Sequence, residues 1–229
     1  MNWRDFWNRE NSIYVNDRHL ALHDDRVARD IAALIEAPGW LVMDYGCGEA
    51  SSAALVAEKC ELLHLYDAAP MVREHLRLRF SRNPRVSVRG EGGLAEISDG
   101  ALDLVVVNSV LQYLSRAEFE TFLEVARSKL KPTGKLVVAD VVPKGAKAAD
   151  DIAALLKFAF QGGFFFAALA GLVTTFFSDY RKLRAELGLT RYGEDEMLAI
   201  FRSRGFAATR APKNIGHNQT RMMFVAKPA

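Results

Sequence analysis

The chain has 229 residues, half of them hydrophobic and a quarter charged, a composition that fits a folded globular protein and excludes an intrinsically disordered one. Lys and Arg number 30 against 28 Asp and Glu, so no overall basic excess argues for a nucleic-acid partner. The length suits one core, and a single domain spanning 1–229 is expected.

At the N-terminus, Trp3, Phe6 and Trp7 recur at i, i+3, i+4, which predicts a short helix with one aromatic face. MNWRDFWNRENSIY lacks the apolar run of a secretory signal. The two cysteines, Cys47 and Cys60, have no metal-ligand spacing and fit a reducing compartment, so no metal and a cytoplasmic location are expected. The stripe Val27, Ile31, Leu34 and Ile35 predicts a helix from about Asp25 to Ala37, with Asp24 or Asp25 as its cap and Pro38-Gly39 as its stop.

Short Val- and Leu-rich runs then follow: WLVMDYG, LLHLYD, RVSVR, LDLVVVN and GKLVVADVV. All but the third are too uniformly apolar for half-exposed strands. Segments of helical length, 50–59, 70–80 and 116–130, separate them, and the alternation implies a parallel sheet with helices on both faces. The arginines at 73, 77, 79, 82, 85 and 89 read as a solvated helix face and loop, with contact to an anionic surface as the alternative. After Pro143 the alternation lapses, and 144–190 holds FAFQGGFFFAALAGLVTTFF, twenty residues without a formal charge. A helix near 194–203 and two strands near 206–210 and 220–227 close the chain. Their link, 211–219, is loop-like, which suggests antiparallel pairing.

The chemistry is concentrated in VMDYGCGEA, Val42 to Ala50, between a buried strand and a helix. Gly46 and Gly48 let the backbone turn sharply and lie against a ligand. Asp44 precedes that turn at the strand's carboxyl end, where open α/β sheets place their ligand crevice. Asp67 ends the second strand, Glu91 follows the third in RGEGG and Asn108 ends the fourth, so polar groups from four strands converge on one edge. Gly-rich turns of this kind also serve nicotinamide cofactors. However, Ser51 stands at the third Gly or Ala of G-x-G-x-x-G, and Asp44 is an unfavourable charge beside a pyrophosphate.

DYGCG, LYDAAPM, RGEGGLAEIS, LDLVVVNSVLQYL and GKLVVADV together resemble the class I S-adenosylmethionine (SAM)-dependent methyltransferases. The resemblance runs from about Asp25 to Lys227 and is most specific from Leu41 to Val142. It implies a doubly wound, seven-stranded, mostly parallel α/β sheet with an antiparallel last strand, and SAM as cofactor. It also implies a cofactor site of Tyr14, Asp44, Gly46, Cys47, Gly48, Asp67, Ala68, Glu91, Gly92 and Asn108. Asp67 would hold the ribose, while Glu91 and the Gly92 N–H would meet the adenine. Two departures stand out: Ala50 replaces a frequent third glycine, and Glu91 stands where Asp is more common.

In similar enzymes the N-terminal segment folds over the site, so 1–24 and 144–190 are expected to form a cap that brings Tyr14, Arg18 and His19 close. His19 and His217 are the candidate general bases, and Tyr113 a candidate acceptor-side residue. Methyl transfer needs a base only when the acceptor arrives protonated. The uncharged stretch, interrupted by Gly162-Gly163, reads as a cap helix with a bulky face (Phe165, Phe166, Leu169, Leu172, Val173, Phe176, Phe177) and a small face (Ala167, Ala170, Gly171, Thr174, Thr175, Ser178). The bulky face needs burial, against a small apolar or amphipathic acceptor, a second copy in a homodimer through 158–177, or a membrane surface. A SAM-dependent methyltransferase of small molecules is the expected activity. A membrane-surface enzyme acting on a quinone or lipid, and a noncatalytic SAM-binding protein, are the alternatives.

Overall fold

The computed structural model describes residues 14–176 and 188–229. The expected helix at Trp3–Trp7 and residues 177–187 lie outside the described residues, as do the side chains of 173–176.

Seven strands form one sheet: β1 (Leu41–Tyr45), β2 (Leu62–Tyr66), β3 (Val86–Val88), β4 (Leu102–Asn108), β5 (Leu130–Val141), β6 (Phe206–Arg210) and β7 (Met222–Pro228). Their order is β3-β2-β1-β4-β5-β7-β6. Only β7 is reversed, pairing antiparallel with both β5 and β6. The uniformly apolar runs are explained by burial on both faces: Leu102 to Val107 are all buried, with Val105 and Val107 in one core and Leu104 and Val106 in the other. The strand order reverses between β1 and β4, the switch point where such sheets open a crevice at their carboxyl ends.

The helices are α1 (Asp17–Ala32), α2 (Ala54–Ala57), α3 (Pro70–Arg79), α4 (Arg116–Lys129), α5 (Ala148–Gly162), α6 (Phe165–Phe176) and α7 (Glu194–Ser203). The expected 25–37 helix begins eight residues earlier. Asn16, whose side chain accepts from the His19 N–H at 2.9 Å, is the cap. Asp25 lies inside the helix, paired with Arg29 at 2.8 Å, and the helix ends at Ala32, before Pro38-Gly39 takes effect. The expected 50–59 helix shrinks to the four residues of α2, because Ala50 sits at φ 40, a left-handed conformation that cannot start a helix. Proline at the first position of α3 and the Ser115–Glu118 capping box of α4 set those helices where the pattern puts them. Arg73 corrects the solvated-face reading of the arginines. It is buried, and its Nη1 donates to the Asp67 and Ala68 carbonyls at 2.8 and 3.0 Å.

The uncharged stretch is two helices, not one. Gly163, at φ 71, ends α5 in the left-handed position that favours glycine, and α6 turns back from it. No helix among the described residues is long and apolar enough to cross a membrane. The burial of α6 does not follow the two size-sorted faces: Phe165 and Leu172 of the bulky face are half-buried, and Ala170 of the small face is exposed. Phe166 is 84 % exposed and Leu169 41 %, while Ala168 is fully buried with Ala159 and Phe164. Gly171 packs so tightly on Val15 that a Cβ there would clash. Val15 thus meets α6 at its glycine, while α1 packs on α5, where a Cβ at Gly162 would clash with Leu22.

Candidate active site

The site is assembled from the β1–α2 turn and the ends of β2, β4 and β5. Gly46 (φ 77) and Gly48 (φ 58) adopt conformations that penalise any side chain. Gly46 also packs on Val110, with no room for a Cβ. The Gly46 and Cys47 N–H groups donate to the Tyr66 carbonyl at 2.7 and 3.0 Å, clamping the turn onto the end of β2. Asp67 secures it further, accepting from the Gly48 N–H at 3.1 Å and the Ala69 N–H at 2.9 Å.

These elements enclose a cavity of about 1110 Å³. Asp44, buried at its floor, has its carboxyl pushed up to about 7 by desolvation and then by the nearby Asp67. Desolvation likewise raises Asp67, against the lowering effect of the two backbone donors and Arg73. The Cys47 thiol is pushed well up by burial and by both carboxylates, so it stays protonated. Asn108 reaches the cavity from β4, and its buried Oδ1 has no hydrogen-bond partner. Two desolvated acids and an orphaned acceptor, side by side, suit a ligand that brings positive charge and N–H groups.

Of the residues expected in the cofactor site, Tyr14, Asp44, Gly46, Cys47, Gly48, Asp67, Ala68, Glu91 and Asn108 all line this one cavity. Glu91 stands at its rim, 89 % exposed and 3.6 Å from Arg73. Gly92 is different. Its N–H, expected to face an adenine, donates to Glu96 Oε1 at 3.1 Å, and the residue lies outside the lining.

The two candidate bases, His19 and His217, also lie outside the lining. His19 is buried, stacked on Phe164 at 4.9 Å, and its Nδ1 accepts from the Val15 N–H at 3.3 Å. His217 is stacked on Phe158 at 4.5 Å. Burial holds both near 4, so they are neutral. His23, which the sequence did not single out, forms a triangle with them at 6.4 and 5.9 Å and does reach the cavity, as does Tyr113. Arg18 ties the N-terminal segment to the cap instead, with its Nε donating to the Gly162 carbonyl at 2.5 Å.

Residues 43–136 match a family model described as a methyltransferase domain. Comparison with curated proteins returns no match. Among solved structures, the fold is similar to magnesium protoporphyrin IX methyltransferase from Synechocystis PCC 6803 with bound SAM, at 14% identity and TM-score 0.58 over 99% of this chain and 89% of that one. It is similar to the pyocyanin biosynthetic protein PhzM, at 15% identity and TM-score 0.63 over 100% and 62% of the two chains. It is also similar to the Burkholderia thailandensis 1,6-didemethyltoxoflavin-N1-methyltransferase, at 16% identity and TM-score 0.55 over 91% and 81%.

The glycine turn, the strand-end acids and the reversed β7 give the fold of the class I SAM-dependent methyltransferases, and residues 43–136 carry the match to the methyltransferase-domain model. The residues present fit SAM: Asp44 and Asp67 offer carboxylates, Asn108 an unpaired oxygen, and Gly48 an open space where a Cβ would meet nothing within 4 Å. When bound, SAM supplies a methyl group already activated by a positive sulfur.

Proposed function

We propose that the protein transfers this methyl group to O, N or C of a small, apolar or amphipathic acceptor that enters beneath the cap. The observation carrying the reading is the cavity. At about 1110 Å³ it exceeds the roughly 300–1,000 Å³ of a typical single-ligand pocket. Its lining also changes character, from the acids at β1 and β2 to Leu20, Val110, Tyr113, Leu114 and Leu189 on the far side. That apolar side suits a small organic molecule, excludes water from the transfer step and favours in-line placement. The similar structures include enzymes named for small-molecule acceptors, a porphyrin and a toxoflavin precursor, which supports the same reading.

The test is incubation with methyl-labelled SAM and a fractionated cell extract. Label should enter a small organic product; label confined to protein or nucleic acid refutes the proposal.

A second reading, a cytoplasmic enzyme that docks on a membrane to reach a quinone or lipid, is favoured by the outward Phe160 and Phe166, 76 % and 84 % exposed. Flotation with anionic and neutral liposomes tests it. A protein that stays unbound to both, or a concentration-dependent dimer that buries these residues, counts against it.

A further inference from the structure

Beyond Asn108 the cavity is closed by Ser109, Asp140 and Arg221, none of which the sequence pattern marks. Asp140 sits on an irregularity at the end of β5. Val138 pairs with Phe224 and Val141 with Met222, so Ala139 and Asp140 together stand opposite Met223 alone. Such a bulge re-aims a side chain beside an active site. Asp140 takes φ 57 there, and the facing Ser109 takes φ 60. Left-handed conformations at residues other than glycine are uncommon, and they cluster at functional sites.

The surroundings hold this geometry in place. The Asn214 side chain accepts from the Asp140 N–H at 2.9 Å, and the Gln112 Nε2 donates to the Ser109 carbonyl at 3.2 Å. Ser109 Oγ donates to Asp140 Oδ2 at 2.9 Å. Arg221 is anchored through Nη2 to both oxygens of Asp151, at 2.8 and 2.9 Å, and its Nε faces Asp140 Oδ1 at 3.9 Å. Nε and Nη1 of this buried guanidinium have no hydrogen-bond partner.

Around this corner stand two carboxylates, Asp140 and Asp151, and one cation, Arg221, with Asp44 in the same cavity. The surplus is negative, which disfavours an anionic acceptor and favours a neutral one with a proton to lose. Asn108 pairs with Ala139, so Asp140 stands one residue beyond the strand pair that brings Asn108 to the cavity.

We propose that Asp140 takes the acceptor's proton, and that the acceptor is a neutral phenol or enol methylated on oxygen. This rests on the small-molecule reading above and specifies its chemistry. The acceptor oxygen forms the bond to the methyl carbon while the carbon–sulfur pair remains on sulfur, and the O–H proton passes to Asp140. The sulfonium and the aspartate thus neutralise together, giving an ether, a thioether and a carboxylic acid. Desolvation raises the Asp140 carboxyl above its ordinary range, while Arg221 and the Ser109 hydroxyl oppose that rise and Asp151 adds to it. The result is a stronger base than a solvated aspartate.

Asp140→Asn is nearly isosteric, tolerates the left-handed backbone and can still accept from Ser109. The experiment uses 13C-methyl SAM, a cell metabolite extract and the intact protein, with products read by carbon NMR. The wild type should give methoxy signals, and Asp140→Asn should lose about 100-fold or more of that rate. Affinity for S-adenosylhomocysteine by calorimetry should stay within about twofold, since a base for the acceptor contributes little to cofactor binding. At saturating SAM the wild-type rate should fall as pH drops through the Asp140 titration, and Ser109→Ala should move that limb to higher pH. An infrared titration of the free protein should show one carboxyl band, absent in Asp140→Asn, with a midpoint above that of an ordinary aspartate.

Label appearing as N-methyl or C-methyl overturns the inference, as does an Asp140→Asn rate within tenfold of wild type, or a parallel loss of S-adenosylhomocysteine binding. Label entering no small molecule refutes the proposed function itself, and this inference with it.

Discussion

Asp44→Asn tests whether the cavity is built for a cation at the expense of the free protein's stability. The wild-type carboxyl titrates near 7 in the fold, against 3.8 when solvated, because ionising it beside Asp67 in a desolvated pocket is unfavourable. A folded value raised above the unfolded one means the native state holds the extra proton. Stability therefore falls as pH rises from about 4 to about 7, by up to about 4 kcal/mol. Removing the charge should relieve that cost, so urea denaturation without SAM should show Asp44→Asn more stable than wild type at pH 8, with the difference vanishing near pH 4. The same change removes a charged hydrogen-bond partner for the cofactor, worth about 1.5–3 kcal/mol, or about 10- to 150-fold in affinity. Calorimetry with SAM should record that loss, and wild-type affinity should rise with pH through 7 as Asp44 ionises. Equal urea midpoints at pH 8, or an unchanged affinity for SAM, would refute the argument.

Asp67→Ala should weaken SAM binding by about 10-fold or more in the same titration, because it removes a carboxylate from the cavity and frees the Gly48 and Ala69 N–H groups that it anchors. Ala50→Gly should stabilise the protein by about 0.5–1 kcal/mol in a urea melt, since alanine at φ 40 is in a region where glycine carries no steric penalty. His19, His23 and His217, each held near 4 by burial against an ordinary 6.5, fold as neutral rings. Their contribution is complete above pH 6.5 and is lost as pH falls toward 4, up to about 3 kcal/mol for a single histidine. Acid denaturation followed by circular dichroism should begin below pH 6.5, and His19→Phe, which keeps a ring stacked on Phe164, should move the onset to lower pH.

The strands were legible because burial on both faces demands continuous apolar runs, and a polar residue ending such a run stands out. That is how Asp44, Asp67 and Asn108 could be placed without coordinates. Helix starts were harder to read. Asn16 lies among polar residues that give no sign of which one caps, and the conformation of Ala50 depends on how the turn is clamped to Tyr66. Asp140 was hidden for a different reason. In GKLVVADVV it reads as one acid in a strand, and only pairing with Met222–Phe224, some 80 residues later, creates the bulge. The bulky and small residues of α6 could be sorted from the sequence, but which of them are buried depends on the close approach of Val15 and on packing against α5.

Among the described residues, the three left-handed positions not occupied by glycine are Ala50, Ser109 and Asp140, and all three line the candidate-site cavity. They come from three different strand ends, so no single local sequence quirk accounts for them. A sheet whose central strand is buried from Leu102 to Val107 can hold such conformations, each costing about 1–3 kcal/mol, because its stability comes from packing on both faces and not from the turns. The same reasoning covers the elevated carboxyls: Asp44, Asp67 and Asp140 are all raised by desolvation, and each lies where a strand leaves the core. Left-handed backbone and raised carboxyls thus gather at one rim of the sheet. On the proposed reading, a cationic cofactor would stabilise Asp44 and Asp67 in their ionised forms there and an acceptor's proton would neutralise Asp140, so the groups that weaken the free protein would be the ones that bind and react.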